Sequence, residues 1–405
     1  MDPQSNSELT HEAIRDMAAE EALAILANYG EAFIGSLRAV HSPPVGQKSL
    51  RLYRLAETAA LVGRSESWLR AQEADPQFPK LANRTASGRR MYALAEINAI
   101  RAYAGTQPKS PARGEPYILG MVNFKGGSSK TTVTYLASHF LATRGYRVLV
   151  VDLDPQGSLT SSFELFDQAG EPVRTLDWEN TIGPVLAGEA KDAEPLILRT
   201  HWPTIDVIPA SVDVYEADLI MAVETVRNGN QKAFPFWRRL GDTLRKINGY
   251  DFILLDSAPA LNLAAVNAVA AADGLIIPVP PRNLDLEAAV KFATVVAGWT
   301  QQLPGFHLRR RWLRLLLTQL QRSSTSDQTH ALLARRYFGA LVLDAAFPMS
   351  EAVRRGSAGA PSCYEGSTTD RNQAEANRRV RESLDEVFAE ILSIIFKHQE
   401  GKAND

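Results

Sequence analysis

Met121-Val-Asn-Phe-Lys125-Gly126-Gly127-Ser128-Ser129-Lys130-Thr131-Thr132 is the stretch of this 405-residue chain on which the fold turns. Residues 117–122 before it form an apolar run of strand length. After it, Val133, Leu136, Ala137, Phe140 and Leu141 recur at helical spacing. A glycine-containing turn from a buried strand into a helix presents several unpaired backbone N–H groups at the helix N-terminus, where negative charge is stabilised. Such a turn suits a phosphate. Lys130 is placed to reach the β- and γ-phosphates of a nucleoside triphosphate, and the Thr131 hydroxyl to ligate Mg²⁺. The common spacing of this device, G-x-x-x-x-G-K-[ST], is not met, because its two glycine positions hold Phe124 and Ser129. Serine at 129 can still offer its N–H, provided its backbone accepts a conformation more natural to glycine.

From residue 117 onward, short apolar runs (117–122, 147–151, 205–208, 252–255, 275–279, 315–317, 341–343) alternate with longer amphipathic stretches. That alternation predicts an α/β fold, a doubly wound, mostly parallel sheet with helices on both faces. Carboxylates follow two of these runs: Asp152 and Asp154 after 147–151, and Asp256 after 252–255. Strand-end carboxylates often cap turns, and position alone does not assign them.

Hydrophobic residues make up 45% of the chain and charged residues 22%, as in a globular protein with a sizeable core. A lone Cys363 excludes an intrachain disulfide framework or a cysteine-ligated cluster held by one chain. The polar start and the absence of a long uncharged apolar run lead us to expect a cytoplasmic protein with no membrane span. The net charge of −2 hides an asymmetry. Residues 1–44 carry seven Asp or Glu against two Arg, whereas 45–115 carry twelve Lys or Arg against six Asp or Glu. A basic block of domain size suits a polyanion, although a merely solvated basic surface has the same composition.

Three units are expected: a helical arm over 1–44, suited to dimerisation; a small domain over 45–112; and the α/β domain over 113–405. Residues 41–46 and 105–114, rich in Pro, Gly and Ser, are the linkers. In the small domain, Ala59, Gly63, Ser65 and Leu69 have the spacing of a helix-turn-helix. Ala59 permits close helix crossing, Gly63 supplies a left-handed turn, Ser65 caps the second helix and Leu69 faces the core. The segment 83–92, with Gly88-Arg89-Arg90-Met-Tyr92, resembles the β-wing of winged, MerR-like modules. Helical hairpins of this spacing also occur in non-binding folds. If the unit binds DNA, Arg64, Ser67, Trp68 and Arg70 would enter the major groove, and Arg84, Arg89 and Arg90 would lie on phosphates or in the minor groove. Trp68 is equally open to a core role.

The loop matches K-G-G-x-x-K-T-[ST], the deviant Walker A motif of the ParA/MinD family of P-loop ATPases, with Lys125 as its second lysine. The resemblance continues in order along the chain. The run 147–157, with Asp152 and Asp154, resembles the family's switch motif, and 250–259, ending at Asp256, looks like its Walker B strand. Residues 268–279, 316–321 and 345–352 are similar to the strand that follows and the segments around the base. Coverage runs over roughly 115–395. The resemblance implies ATP with Mg²⁺ as ligands, held by Lys125, Gly126, Gly127, Ser128, Ser129, Lys130, Thr131 and Thr132, with Gln321 and Pro348 at the base. It gives Thr131, Asp256 and Asp152 to the metal and its waters, and Asp154 to the attacking water. Lys125 would reach the partner's nucleotide in an ATP-bound homodimer.

An N-terminal winged module before such a loop resembles the larger plasmid partition ATPases, most closely the RepA-type members of RepABC operons. The resemblance implies operator binding with autorepression, sequence-neutral binding to nucleoid DNA and stimulation of hydrolysis by a ParB/RepB-type centromere-binding protein. Arg354 and Arg355, and Arg335 with Arg336, are candidates for the non-specific contacts, or else are exposed helix arginines without a partner. The last amphipathic stretch carries Glu382, Asp385, Glu386 and Glu390, a poor match to an anionic bilayer, and is expected to pack on the core. The alternative function is an ATP-gated transcriptional regulator with little turnover.

Overall fold

The computed structural model describes residues 18–19, 23–25 and 48–404, apart from 81–87, 112–113, 229–234, 304, 307, 309–311, 322, 349, 351–352, 354–360 and 367–370. Most of the expected arm over 1–44, together with Arg84, Arg354 and Arg355, lies outside the described residues. In chain order the elements are α1 (Leu55–Val62), α2 (Glu66–Gln72), α3 (Leu94–Ala104), β1 (Tyr117–Met121), α4 (Lys130–Thr143), β2 (Val148–Leu153), β3 (Leu165–Phe166), α5 (Gly183–Ala187), β4 (Leu198–Thr200) and β5 (Ile205–Ile208). Then come α6 (Asp213–Asn228), α7 (Arg239–Leu244), β6 (Phe252–Ser257), α8 (Leu263–Ala271), β7 (Gly274–Val279), α9 (Asn283–Gln302), β8 (Trp312–Leu320), α10 (Thr325–Phe338), β9 (Phe347–Pro348) and α11 (Arg371–Asn404).

The strands form one sheet in the order β3-β4-β5-β2-β6-β1-β7-β8-β9. Pairing is parallel from β5 through β9 and antiparallel only at β3–β4 and β4–β5. The mostly parallel α/β sheet expected from the sequence is therefore present. Chain order reverses around β1, so the loops leaving β1, β2 and β6 converge at the sheet's carboxyl edge, where open α/β sheets hold ligands. Register fixes the level: Asp256 pairs with Met121 of β1 and with Asp152 of β2.

Alternate strand residues feed two cores, as the period of two requires. Leu119, Val150 and Leu254 pack on one face, and Ile118, Leu149 and Ile253 on the other. Helix α11 covers the first face with Leu384, Val387, Phe388, Ile391 and Ile395, all buried, and the Phe388 ring stands 5.5 Å from Phe140. The last helix thus packs on the core as its apolar spacing suggested.

One expectation about strands is corrected, and three short strands were not foreseen. Residues 341–343 do not form a strand: Gly339 at φ 52° starts a 3₁₀ turn, and only Val342 makes a bridge, to Leu315. The edge falls instead to β9, where Pro348 lacks an N–H to donate, a residue tolerated at edges. Strands β3 and β4, of two and three residues, are too short to show a period in the sequence.

The small N-terminal unit closes as its residues dictate. Gly63, at φ 72°, caps α1 in the left-handed conformation, Ser65 Oγ accepts from Trp68 N, and Ala59 and Leu69 are buried. Tyr53 and Tyr92 join as an antiparallel bridge. The unit docks on the sheet domain through buried Arg101. Its Nε donates to Leu61 O at the end of α1, and its Nη2 donates to Thr143 O at the end of α4 (2.8 Å). A cation between two helix C-termini meets carbonyls that lack intrahelical donors, an arrangement favoured by both dipoles. Burial lowers its pKa to about 10. Gly145 is required beside it, because a Cβ there would stand 2.8 Å from Arg101 Nη1.

Candidate nucleotide site

The loop between β1 and α4 lines a cavity of about 270 Å³ with Gly126, Gly127, Ser128, Ser129, Lys130, Thr131 and Thr132; Tyr135, Asp154, Ser158, Ser162 and Pro259 complete the wall. Glycine suits position 127, where the backbone takes φ 71°. Ser129 takes φ 76°, ψ 21° at the N-cap of α4, so the serine adopts the left-handed backbone that glycine takes without cost.

Lys130 is buried, and its Nζ donates to Lys125 O at 3.2 Å. Burial lowers its pKa, opposed by Asp256 and Asp154. Thr131 Oγ1 donates to Asp256 Oδ2 at 2.6 Å. Asp256 is fully buried; burial, and then the neighbouring Asp152 carboxylate, push its pKa well above the ordinary range. A buried acid held beside a second acid is stabilised by a cation, so the paired Thr131 and Asp256 oxygens fit a divalent metal.

Asp152 has a structural task in addition. Its Oδ1 accepts from Asp154 N, and its Oδ2 from Thr160 N and Oγ1, so it pins the loop 154–160. Burial pushes its pKa up to about 6, opposed by the Thr160 donors. Asp154, on that loop, lines the cavity; its Oδ1 accepts from Gln156 N. Lys125 is not among the residues lining the cavity; its Nζ pairs with Asp285 Oδ1 at 2.8 Å. Gln321 and Pro348 are brought near each other by the pairing of Leu320 with Pro348, but neither is among the residues lining the cavity.

The sequence reading missed Gln319 and Thr318, which hold the loop from β8. Thr318 Oγ1 donates to Ser128 O (3.1 Å), while Gln319 Nε2 donates to Gly127 O (2.7 Å) and Ser129 Oγ (3.0 Å). These partners lie 190 or more residues apart in the chain, and no local pattern signals them.

On the N-terminal unit, Arg64 donates to Ala104 O and lies over the Trp68 ring; Ser67 Oγ pairs with Ser65 Oγ. Arg70 pairs with Glu66, and Arg90 with Glu73. Arg89 is exposed. Trp68 is half-buried against Tyr103 and the core, so most of its ring is structural. Of the two other arginines considered, Arg335 donates to Asp344 O (2.7 Å).

A family model described as an AAA domain matches residues 117–303. Protein SopA of Escherichia coli K12 is 28% identical over 367 residues, covering 87% of this chain and 91% of its own. A Rhizobium rhizogenes protein provisionally named replication protein A is 28% identical over 83% of this chain and 85% of its own. Chromosome partitioning protein ParA of Caulobacter vibrioides is 31% identical over 239 residues, 58% of this chain and 82% of its own. The chain belongs to the ParA/MinD family of P-loop ATPases. A solved structure described as a partition protein shares the family fold with this ParA-type chain, with a TM-score of 0.65 and 20% identity over 94% of this chain and 99% of that one. Among the described residues no helix is long and apolar enough to cross a membrane.

Proposed function

We propose that this chain is a plasmid partition ATPase that dimerises on ATP, binds DNA non-specifically and represses its own operon, with hydrolysis stimulated by a ParB-type partner. The observation that carries the reading is one cavity of a ParA-type sheet lined by buried Lys130, by Thr131, which donates to buried Asp256 behind it, and by Asp154. Lys130 and the loop N–H groups stabilise charge on the β- and γ-phosphate oxygens, the main requirement of phosphoryl transfer. Thr131 and Asp256, with Asp152 behind them, would hold Mg²⁺, which when bound neutralises phosphate charge. Asp154 orients the attacking water. Lys125, held by Asp285, serves the nucleotide of a second copy. The unit over 45–112 reads the operator through Arg64, Ser67, Arg70, Arg89 and Arg90, the arm over 1–44 supports pairing of two such units, and the protein works in the cytoplasm on the nucleoid.

The deciding experiment measures ATP turnover with and without non-specific duplex DNA, in the full chain and in Asp154→Ala. Slow hydrolysis, raised by DNA and removed by the substitution, supports the reading. ATP binding without turnover, even with DNA and a ParB-type protein present, would instead make the chain an ATP-gated regulator.

A further inference from the structure

Among the described residues, the only non-glycine positions with positive φ are Ser129 (φ 76°) and Gln319 (φ 54°), and their side chains are hydrogen-bonded to each other. Each occupies a region that costs a residue with a Cβ about 1–2 kcal/mol, and such strain persists only where the surroundings over-determine it. Gln319 sits where the β8–β9 register slips between Thr318 and Leu320, which turns its side chain onto the phosphate loop. The direction of its amide is set from both sides. Arg282 Nη2 can only donate, and it reaches Gln319 Oε1 at 3.3 Å, whereas Gly127 O can only accept, and it takes Nε2. The Nε2 group is thereby left with a second proton for Ser129 Oγ.

We infer that Gln319 is a positioning residue for nucleotide binding: it holds Ser129 in the left-handed conformation that turns the residue 129 N–H toward the phosphates, a conformation glycine would take unaided. The inference rests on the cavity being a triphosphate site. It makes the loop's serine and the β8 glutamine one unit, with Arg282 as the group that orients the amide.

The test is a double-mutant cycle read by titration of ATP and Mg²⁺ into the full chain, with thermal stability followed in parallel. Gln319→Ala should weaken ATP binding about tenfold (about 1.4 kcal/mol). On a Ser129→Gly background the same substitution should cost less than twofold, because glycine needs no support. Thermal stability should likewise fall less on the Ser129→Gly background, where the Gln319–Ser129 hydrogen bond is already absent, whereas a general packing role would cost the same on both. Unchanged affinity in Gln319→Ala overturns the inference, as does an equal loss on both backgrounds. Absence of ATP binding by the unmodified chain would overturn the nucleotide reading itself, and this inference with it.

Discussion

Replacing Glu365 by Gln should destabilise the protein by about 3 kcal/mol, far more than an isosteric change usually costs. Glu365 is 2% exposed. Its Oε1 accepts from His201 Nε2 (2.6 Å), Trp202 Nε1 (3.1 Å) and Tyr135 OH (3.2 Å), and its Oε2 from Ser362 N (2.7 Å) and Tyr135 OH (3.1 Å). Burial alone would raise its pKa, but the facing His139, His201 and Lys48 outweigh burial and hold the carboxyl below its ordinary range. A glutamine oxygen can serve the three side chains at the Oε1 position, but its NH₂ must then face Ser362 N–H, donor against donor. One buried N–H left unsatisfied costs about 1–3 kcal/mol, and turning charge-assisted bonds into neutral ones costs about 1 kcal/mol more. The assay is urea unfolding followed by tryptophan fluorescence, since Trp202 lies on the cluster; at an m-value of about 3 kcal/mol/M the midpoint should fall by about 1 M. Glu365→Leu, which strands every donor, should fall further. A loss below about 1 kcal/mol for Glu365→Gln would refute the reasoning, because the donors would then have found other partners.

The same cluster gives a pH dependence. His139 is fully buried, and burial lowers its pKa to about 3, so the unfolded chain binds a proton below about pH 6.5 that the folded chain refuses. Stability should therefore fall on acidification from pH 6.5 towards 4, by up to about 1.4 kcal/mol per pH unit, and His139→Gln should flatten that slope in urea titrations at several pH values. Lys130→Ala should abolish ATP binding in a titration, because it removes the buried ammonium of the loop; retained affinity would contradict the loop assignment. Lys125→Ala should bind ATP but fail to dimerise with it by size-exclusion chromatography, whereas loss of binding itself would assign Lys125 to its own chain's nucleotide. Arg101→Met should cost about 2 kcal/mol in unfolding assays, since Leu61 O and Thr143 O lose their buried donor.

What was legible in the sequence is what the chain keeps contiguous. The loop 121–132, the apolar strands beside it and the carboxylates at their ends are each a run of a few residues, so the α/β sheet, Lys130 and Thr131 could be read from the residues, while Asp154 and Asp256 joined them through the resemblance to the ParA/MinD family. What was not legible depends on closure. Glu365 meets Tyr135 across 230 residues, and Gln319 meets Ser129 across 190. Ser129 itself stood out as a departure from glycine, but its support could not be located before β8 was placed beside β7.

Charge shows the same division. Counting the sequence yields the basic surplus over 45–115 but not where each arginine is held. In the structure Arg70 and Arg90 are paired with Glu66 and Glu73, Arg64 with a helix-end carbonyl, and Arg101 is spent on docking the unit. Ion pairs within the unit are neutral and leave the surplus intact, so the long-range field that draws a polyanion survives them. Arg70 and Glu66 are exposed, and breaking such a pair costs no more than about 1 kcal/mol, so a phosphate can displace the glutamate. Arg101 differs, because its donors end on buried backbone carbonyls and moving it would undock the unit. Polyanion binding by this domain is therefore expected to draw on Arg70, Arg89 and Arg90 and to leave Arg101 in place. Arg70→Ala and Arg89→Ala should weaken operator binding without changing ATP turnover, and an equal loss of both activities would place those arginines in the fold.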